Sequence, residues 1–88
     1  MNYTDKINKI QETGENRTFL YKEVCFTISE EIKKVDKSNL GFIRKQFVEE
    51  AIMNYQKAMN TDEEFMVYSY AYKSALYADK FFEHAAKY

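Results

Sequence analysis

The 88-residue chain carries 13 Lys and Arg against 14 Asp and Glu, a formal net charge of -1, with 17% aromatic residues, no proline and a single cysteine. A chain of this length is one domain, residues 1–88, and it buries only about 60 to 65% of its unfolded surface, so the core of a single copy is modest. The near-neutral balance argues against a broad phosphate-neutralising surface for long nucleic acid, the lone Cys25 against a disulfide framework, and the lack of any apolar run near 20 residues against a membrane partner.

Glycine occurs only at Gly14 and Gly41, while Ala, Glu, Lys, Met and Gln recur, which favours an all-α fold. The opening segment MNYTDKINKIQET is polar and charged. It predicts no secretion signal and, with one free thiol, points to a reducing cytoplasm. Asn2 is placed to cap a first helix with Asp5 in its first turn, and Gly14 supplies a stop. Ile7 and Ile10 are the only aliphatic anchors of this short arm, so it is expected to be weakly held and to order against a partner or ligand.

From Asn16 to Val35, the residues Leu20, Val24, Ile28, Ile32 and Val35 recur at helical spacing. Val24, Phe26 and Ile28 also alternate as a strand would, but a single strand has no evident pairing partner, so helix is expected. Residues 36–41 interrupt the pattern, and a kink or a short turn fits them equally. Leu40, Ile43, Phe47, Ala51, Tyr55 and Ala58 then form a clear stripe, with Arg44, Lys45, Glu49 and Glu50 largely off it.

Thr61 and Glu64 read as a capping box that opens a helix from residue 61 to about residue 87, about 40 Å long. A turn near Asn60 makes it antiparallel to its predecessor. The stretch FMVYSYAYKSALY looks strand-like locally, but its helical order persists. Ala71, Ala75, Ala78, Phe82 and Ala85 form one mostly small face; Phe65, Tyr68, Tyr72 and Leu76 line a second, and Tyr70, Tyr77, Phe81, His84 and Tyr88 a third. A helix apolar on several faces is expected to be covered on several sides. Self-association or a flat ligand would account for this, as would tyrosines that keep their hydroxyls in water.

Groups for catalysis are sparse. His84 is the sole histidine, Cys25 lies among apolar and small neighbours, and the pairs Glu30–Glu31, Glu49–Glu50 and Glu63–Glu64 diverge by about 100° on a helix. No metal-ligand spacing, P-loop or nucleophile elbow is present, so no enzyme activity, metal or cofactor is expected. The 8 tyrosines and 7 phenylalanines, with the 13 cations, instead suit a compact anionic ligand or a protein interface.

The runs YKEV (Tyr21 to Val24) and SEEI (Ser29 to Ile32), the NLG at Asn39 to Gly41 and the DEEFM at Asp62 to Met66 resemble the phage anti-CBASS proteins that sequester cyclic nucleotides. The resemblance implies a short N-terminal helical arm followed by a long antiparallel helical hairpin, assembling as a homo-oligomer, typically a hexamer, that holds cyclic di- or trinucleotides between chains. It implies a non-enzymatic sponge in the cytoplasm of the infected bacterial host. Tyr21 matches the family's base-stacking tyrosine after a small insertion before SEEI, and Lys37 its phosphate-contacting lysine. Lys22 beside Tyr21, and Arg44 seven positions beyond Lys37, complete the expected ligand-binding set; the competing expectation is that Tyr21 packs in the core and Lys37 is a solvated turn residue. Phe65 stands where the family usually has tryptophan, and YAYKSALYADKF departs from the family's sequence. A small helical inhibitor that covers a host protein, and a plain structural oligomer, are the competing expectations.

Overall fold

The structure, a computed structural model, describes the backbone of residues 2–87 and the side chains of residues 2–83. Four helices, α1 (Tyr3–Gln11), α2 (Arg17–Lys33), α3 (Phe42–Met59) and α4 (Glu64–Lys87), account for the fold, and no strand occurs among the described residues. The strand alternative at residues 24–28 is thereby resolved in favour of helix. The long axis of the molecule, 40 Å, matches the roughly 36 Å that 24 helical residues of α4 span.

The Asn2 side chain caps α1 as expected, accepting a hydrogen bond from the Asp5 backbone N–H at 2.9 Å. The helix ends at Gln11, ahead of Gly14, whose φ of +83° belongs to the loop that reverses the chain together with left-handed Asn16 at φ 54°. The expectation of a weakly held arm is corrected. Asp79, from the far end of α4, accepts from the backbone N–H groups of Tyr3 at 2.8 Å and Thr4 at 3.0 Å, and from the Thr4 hydroxyl at 2.9 Å. One carboxylate thus satisfies two of the four orphan donors at the α1 N-terminus and complements its dipole. Ile7 is fully buried behind this contact, and the Tyr3 ring lies 6.2 Å from Phe82.

In α2 the inward stripe is Tyr21, Cys25, Ile28 and Ile32, with Ser29 also buried. It is rotated by about one residue from the expected stripe, leaving Leu20, Val24 and Val35 half-buried. The reason is that α2 packs against α1, α3 and α4 together, so the direction common to these contacts, not the line of greatest hydropathy, points to the core. Residues 34–41 form a turn and not a kink. The Asp36 carboxylate accepts from the Ser38 N–H at 3.0 Å and the Ser38 hydroxyl at 2.8 Å, an arrangement that holds its carboxyl below the usual range. Gly41, extended at φ -70°, ψ 168°, is the N-cap of α3.

Along α3, Ala51 and Ala58 are buried as expected, Phe47 and Tyr55 are half-buried, and Ile43 is exposed. Val48 and Asn54 join the core instead. The last helix begins three residues later than the capping box implied, because the Thr61 hydroxyl accepts from the Glu63 N–H at 3.3 Å, and the Glu63 carbonyl accepts the first intrahelical bond from Val67. Val67, Ala71, Ser74, Ala75, Ala78 and Phe81 are buried, and α3 packs closely on this small face. Most of the aromatic excess of α4 finds cover within the chain, since α4 touches α1, α2 and α3, but Phe65 stays 74% exposed. Tyr68 packs on Tyr21 at 5.5 Å and Tyr77 on Phe47 at 6.3 Å. The side chains of His84, Ala85 and Tyr88 lie outside the described residues.

Two stability predictions follow from this packing. Asp79→Ala leaves the backbone N–H groups of Tyr3 and Thr4 without their acceptor while the Asn2 cap on Asp5 remains, and is expected to cost about 1 to 3 kcal/mol; thermal unfolding measures the loss, and hydrogen exchange should show α1 opening first. Ala75→Leu inserts three heavy atoms between helices in contact and is expected to cost about 1 to 3 kcal/mol, whereas the same change at exposed Lys73 should leave the melting temperature nearly unchanged.

Candidate ligand-binding surface

Antiparallel helices joined by a short turn meet residue for residue at equal distances from that turn. The Ser74 hydroxyl donates to the Ala51 carbonyl at 2.8 Å and marks this register. Beside it, Tyr70, Tyr77 and Phe81, spaced seven and four residues apart, share one side of α4. Three cations lie on those rings. The Arg44 guanidinium is 4.6 Å from the Phe81 centroid, the Lys57 ammonium 5.8 Å from Tyr70, and the Lys80 ammonium 5.6 Å from Tyr77.

The result is a cation–aromatic seam along α3 and α4, about 16 Å from Tyr70 to Phe81. Lys57 and Lys80 are exposed, while Arg44, Tyr70, Tyr77 and Phe47 are half-buried and Phe81 is covered. No carboxylate of the described residues is ion-paired with Arg44, Lys57 or Lys80. Each cation therefore keeps donors for an anion, and half-buried Tyr70 and Tyr77 add aromatic surface beside them, the chemistry that a nucleotide's phosphate and base require, while covered Phe81 serves only to seat Arg44. The Arg44 Nε is buried without a hydrogen-bond partner among the described residues, a cost that contact with the Phe81 ring partly offsets.

The four residues expected to bind ligand are not brought together within one chain. Tyr21 is only 2% exposed, its ring against Tyr68, and burial pushes its phenol above the ordinary range while Arg17 pulls the other way. Lys22 is ion-paired at 2.8 Å with Asp62, whose carboxyl it holds below its usual range. Lys37 lies in the exposed turn, its ammonium 3.2 Å from the Val35 carbonyl. Because helix stops between them, Lys37 and Arg44 do not share a helical face. Arg44 sits against Phe81, thirteen residues along α4 from the Tyr68 that touches Tyr21, or about 20 Å. Of the four, Arg44 alone joins the seam.

Lys57 and Lys80 were not singled out from the sequence, although the signal was present. Tyr70, Tyr77 and Phe81 fall on one stripe, and folding the chain about residues 60–63 sets Arg44 and Lys57 opposite its two ends. Among the described residues no group of three or more His, Cys, Asp or Glu is placed to hold a metal ion, and no helix is long and apolar enough to cross a membrane. Comparison with protein-family models, curated proteins and solved structures returned no match.

Cys25 lies away from the seam in the core, fully buried, and burial raises its thiol to about 12. The folded thiol keeps its proton through a pH range in which the unfolded thiol, with its ordinary pKa of 9.0, has lost it. The stability tied to this proton is therefore complete below about pH 9 and is lost between about 9 and 12. Denaturant titrations of wild type and Cys25→Ala should diverge there by up to about 1.4 kcal/mol per pH unit. Alkylation at pH 8 should proceed only as fast as the protein opens.

Proposed function

We propose that the protein is a non-enzymatic sponge that binds and sequesters cyclic di- or trinucleotide second messengers, a phage anti-defence protein that blocks CBASS signalling in the cytoplasm of the infected host. The observation that carries this reading is the α3–α4 seam, where Arg44, Lys57 and Lys80 stand on Phe81, Tyr70 and Tyr77. Its length suits a compact ligand with a few phosphates and flat bases better than a long polyanion, and the formal net charge of -1 agrees. The YKEV, SEEI, NLG and DEEFM motifs add the cyclic nucleotide to that chemistry.

The active form in this reading is a homo-oligomer, up to a hexamer. Assembly would let Lys37 of one copy complete a site beside Arg44 of another, since the turn that carries Lys37 is exposed. Tyr21 would have to leave its contact with Tyr68 to stack on a base. Half-buried Tyr70 and Tyr77 meet that need without rearrangement.

A second reading, a helical inhibitor that covers a host protein, is favoured by the exposure of Phe42 at 79% and Phe65 at 74%. Thermal unfolding with a panel of cyclic di- and trinucleotides separates the two, because a ligand that binds only the folded protein raises its melting temperature by mass action. The sponge reading expects such a shift and release of intact ligand on heating. Arg44→Ala should lose about 1.5 to 3 kcal/mol of binding, and Lys57→Ala, which leaves the core untouched, should weaken binding in a salt-dependent way. A folded protein whose melting temperature no cyclic nucleotide shifts would return the function to the second reading.

A further inference from the structure

At the other end of the bundle, where the N-terminus of α2 meets the turn before α4, a second surface has a different character. Arg17 pairs with Glu64 at 3.4 Å and Lys22 with Asp62 at 2.8 Å, and these pairs stand beside two phenyl groups, Phe19 at 65% and Phe65 at 74% exposure. Phe19 and all four charged residues line one open groove of about 520 Å³. Phe65 shares Arg17 and Glu64 with the adjoining groove, so the six residues form one continuous patch.

The patch carries two positive and two negative groups, in pairs, around exposed aromatic side chains. An anionic ligand placed there meets Asp62 and Glu64, and a cationic one meets Arg17 and Lys22. A surface that presents the same groups in reversed order satisfies all four, and a second copy turned by a two-fold axis presents that surface. The ion pairs within the chain can exchange, because the side chains are long and those of Glu64 and Asp62 are 52% and 95% exposed, although Arg17 and Lys22 keep only 32% and 20% of theirs in water. Their closure around aromatic anchors gives the usual layout of a stable interface, with an apolar centre and a polar rim.

We propose that this patch is a two-fold interface between copies of the chain, in which Arg17 and Lys22 of each copy re-pair with the other's Glu64 and Asp62 around Phe19 and Phe65. The proposal rests on the self-associating part of the proposed function, gives it a surface, and needs no ligand.

Sedimentation of the full chain with charge-swapped variants tests it. In Arg17→Glu, residues 17 and 64 are both negative, and in Glu64→Arg both are positive, so each variant alone should lose self-association. An equimolar mixture should recover it, because each mixed contact then joins opposite charges. Phe19→Ala should weaken association at least about tenfold. Circular dichroism establishes that each variant is folded, and the pair Lys22→Asp with Asp62→Lys repeats the test should either first variant unfold. Variants that associate as the wild type does, or a mixture that stays monomeric, overturn the interface while leaving ligand binding untouched. A wild type that is a 10.5 kDa monomer at high micromolar concentration overturns the interface and the assembly together, and the melting-temperature test of ligand binding stands apart from both.

Discussion

The close approach of α3 and α4 is the constraint on which the rest of the molecule depends. Alanine at positions 51, 58, 71, 75 and 78 leaves the facing surfaces nearly smooth, and the helices come near enough for the Ser74 hydroxyl to reach a backbone carbonyl of the opposite helix. Alanine burial alone yields little apolar area per residue. What it does yield is register, because a smooth face permits sliding and one buried hydroxyl bonded to one carbonyl resists it. The contacts of Arg44 with Phe81, Phe47 with Tyr77 and Lys57 with Tyr70 all inherit that register. A slip of one helical turn would separate every pair at once.

With α3 occupying the small face, the bulk of α4 has to be covered from elsewhere, and α1 and α2 do this. Tyr21 covers Tyr68, Ile7 enters behind Phe81 and Phe82 in the same core, and Asp79 fixes where α1 begins. The device is economical in residues. A polar group on the central helix satisfies the two N–H groups that the helix's own Asn2 cap leaves free, so a nine-residue helix too short to be stable alone is held by tertiary contacts.

Much of this was legible in the sequence, and most of what was not depends on contacts between distant residues. Helix class, the Asn2 cap, the antiparallel hairpin and the alanine face of α4 follow from local spacing, and each is found in the structure. The rotation of the α2 stripe and the contact of Asp79 with the start of α1 depend on residues up to 76 positions apart, which periodicity does not report, whereas the late start of α4 is local and turns on the Thr61 hydroxyl accepting from Glu63 in place of Glu64. Tyr21 shows the difference most clearly. As a residue beside a lysine in a short motif it reads as a base-stacking or a core aromatic alike, and the choice is decided by Tyr68 on another helix. Arg44 shows the reverse, since its position off the apolar stripe of α3 is what sets it over the ring of Phe81.

The two ends of the molecule treat their cations in opposite ways, and the difference bears on function. Arg17 and Lys22 are neutralised by carboxylates before any partner arrives, so an anion at that end must displace Glu64 and Asp62 and meets their repulsion as it approaches. Arg44, Lys57 and Lys80 are held by aromatic rings, whose attraction fixes a cation's position without cancelling its charge. An approaching phosphate at the seam thus meets preplaced donors that no carboxylate of the described residues holds in an ion pair. By the same logic the ion-paired end is suited to a surface that supplies both signs together, which a neutral mosaic on a folded protein does and a nucleotide does not. Along α4 the ring-held cations lie from Tyr70 to Phe81, and the carboxylates that neutralise Arg17 and Lys22 lie in the turn before the helix and at its first residue.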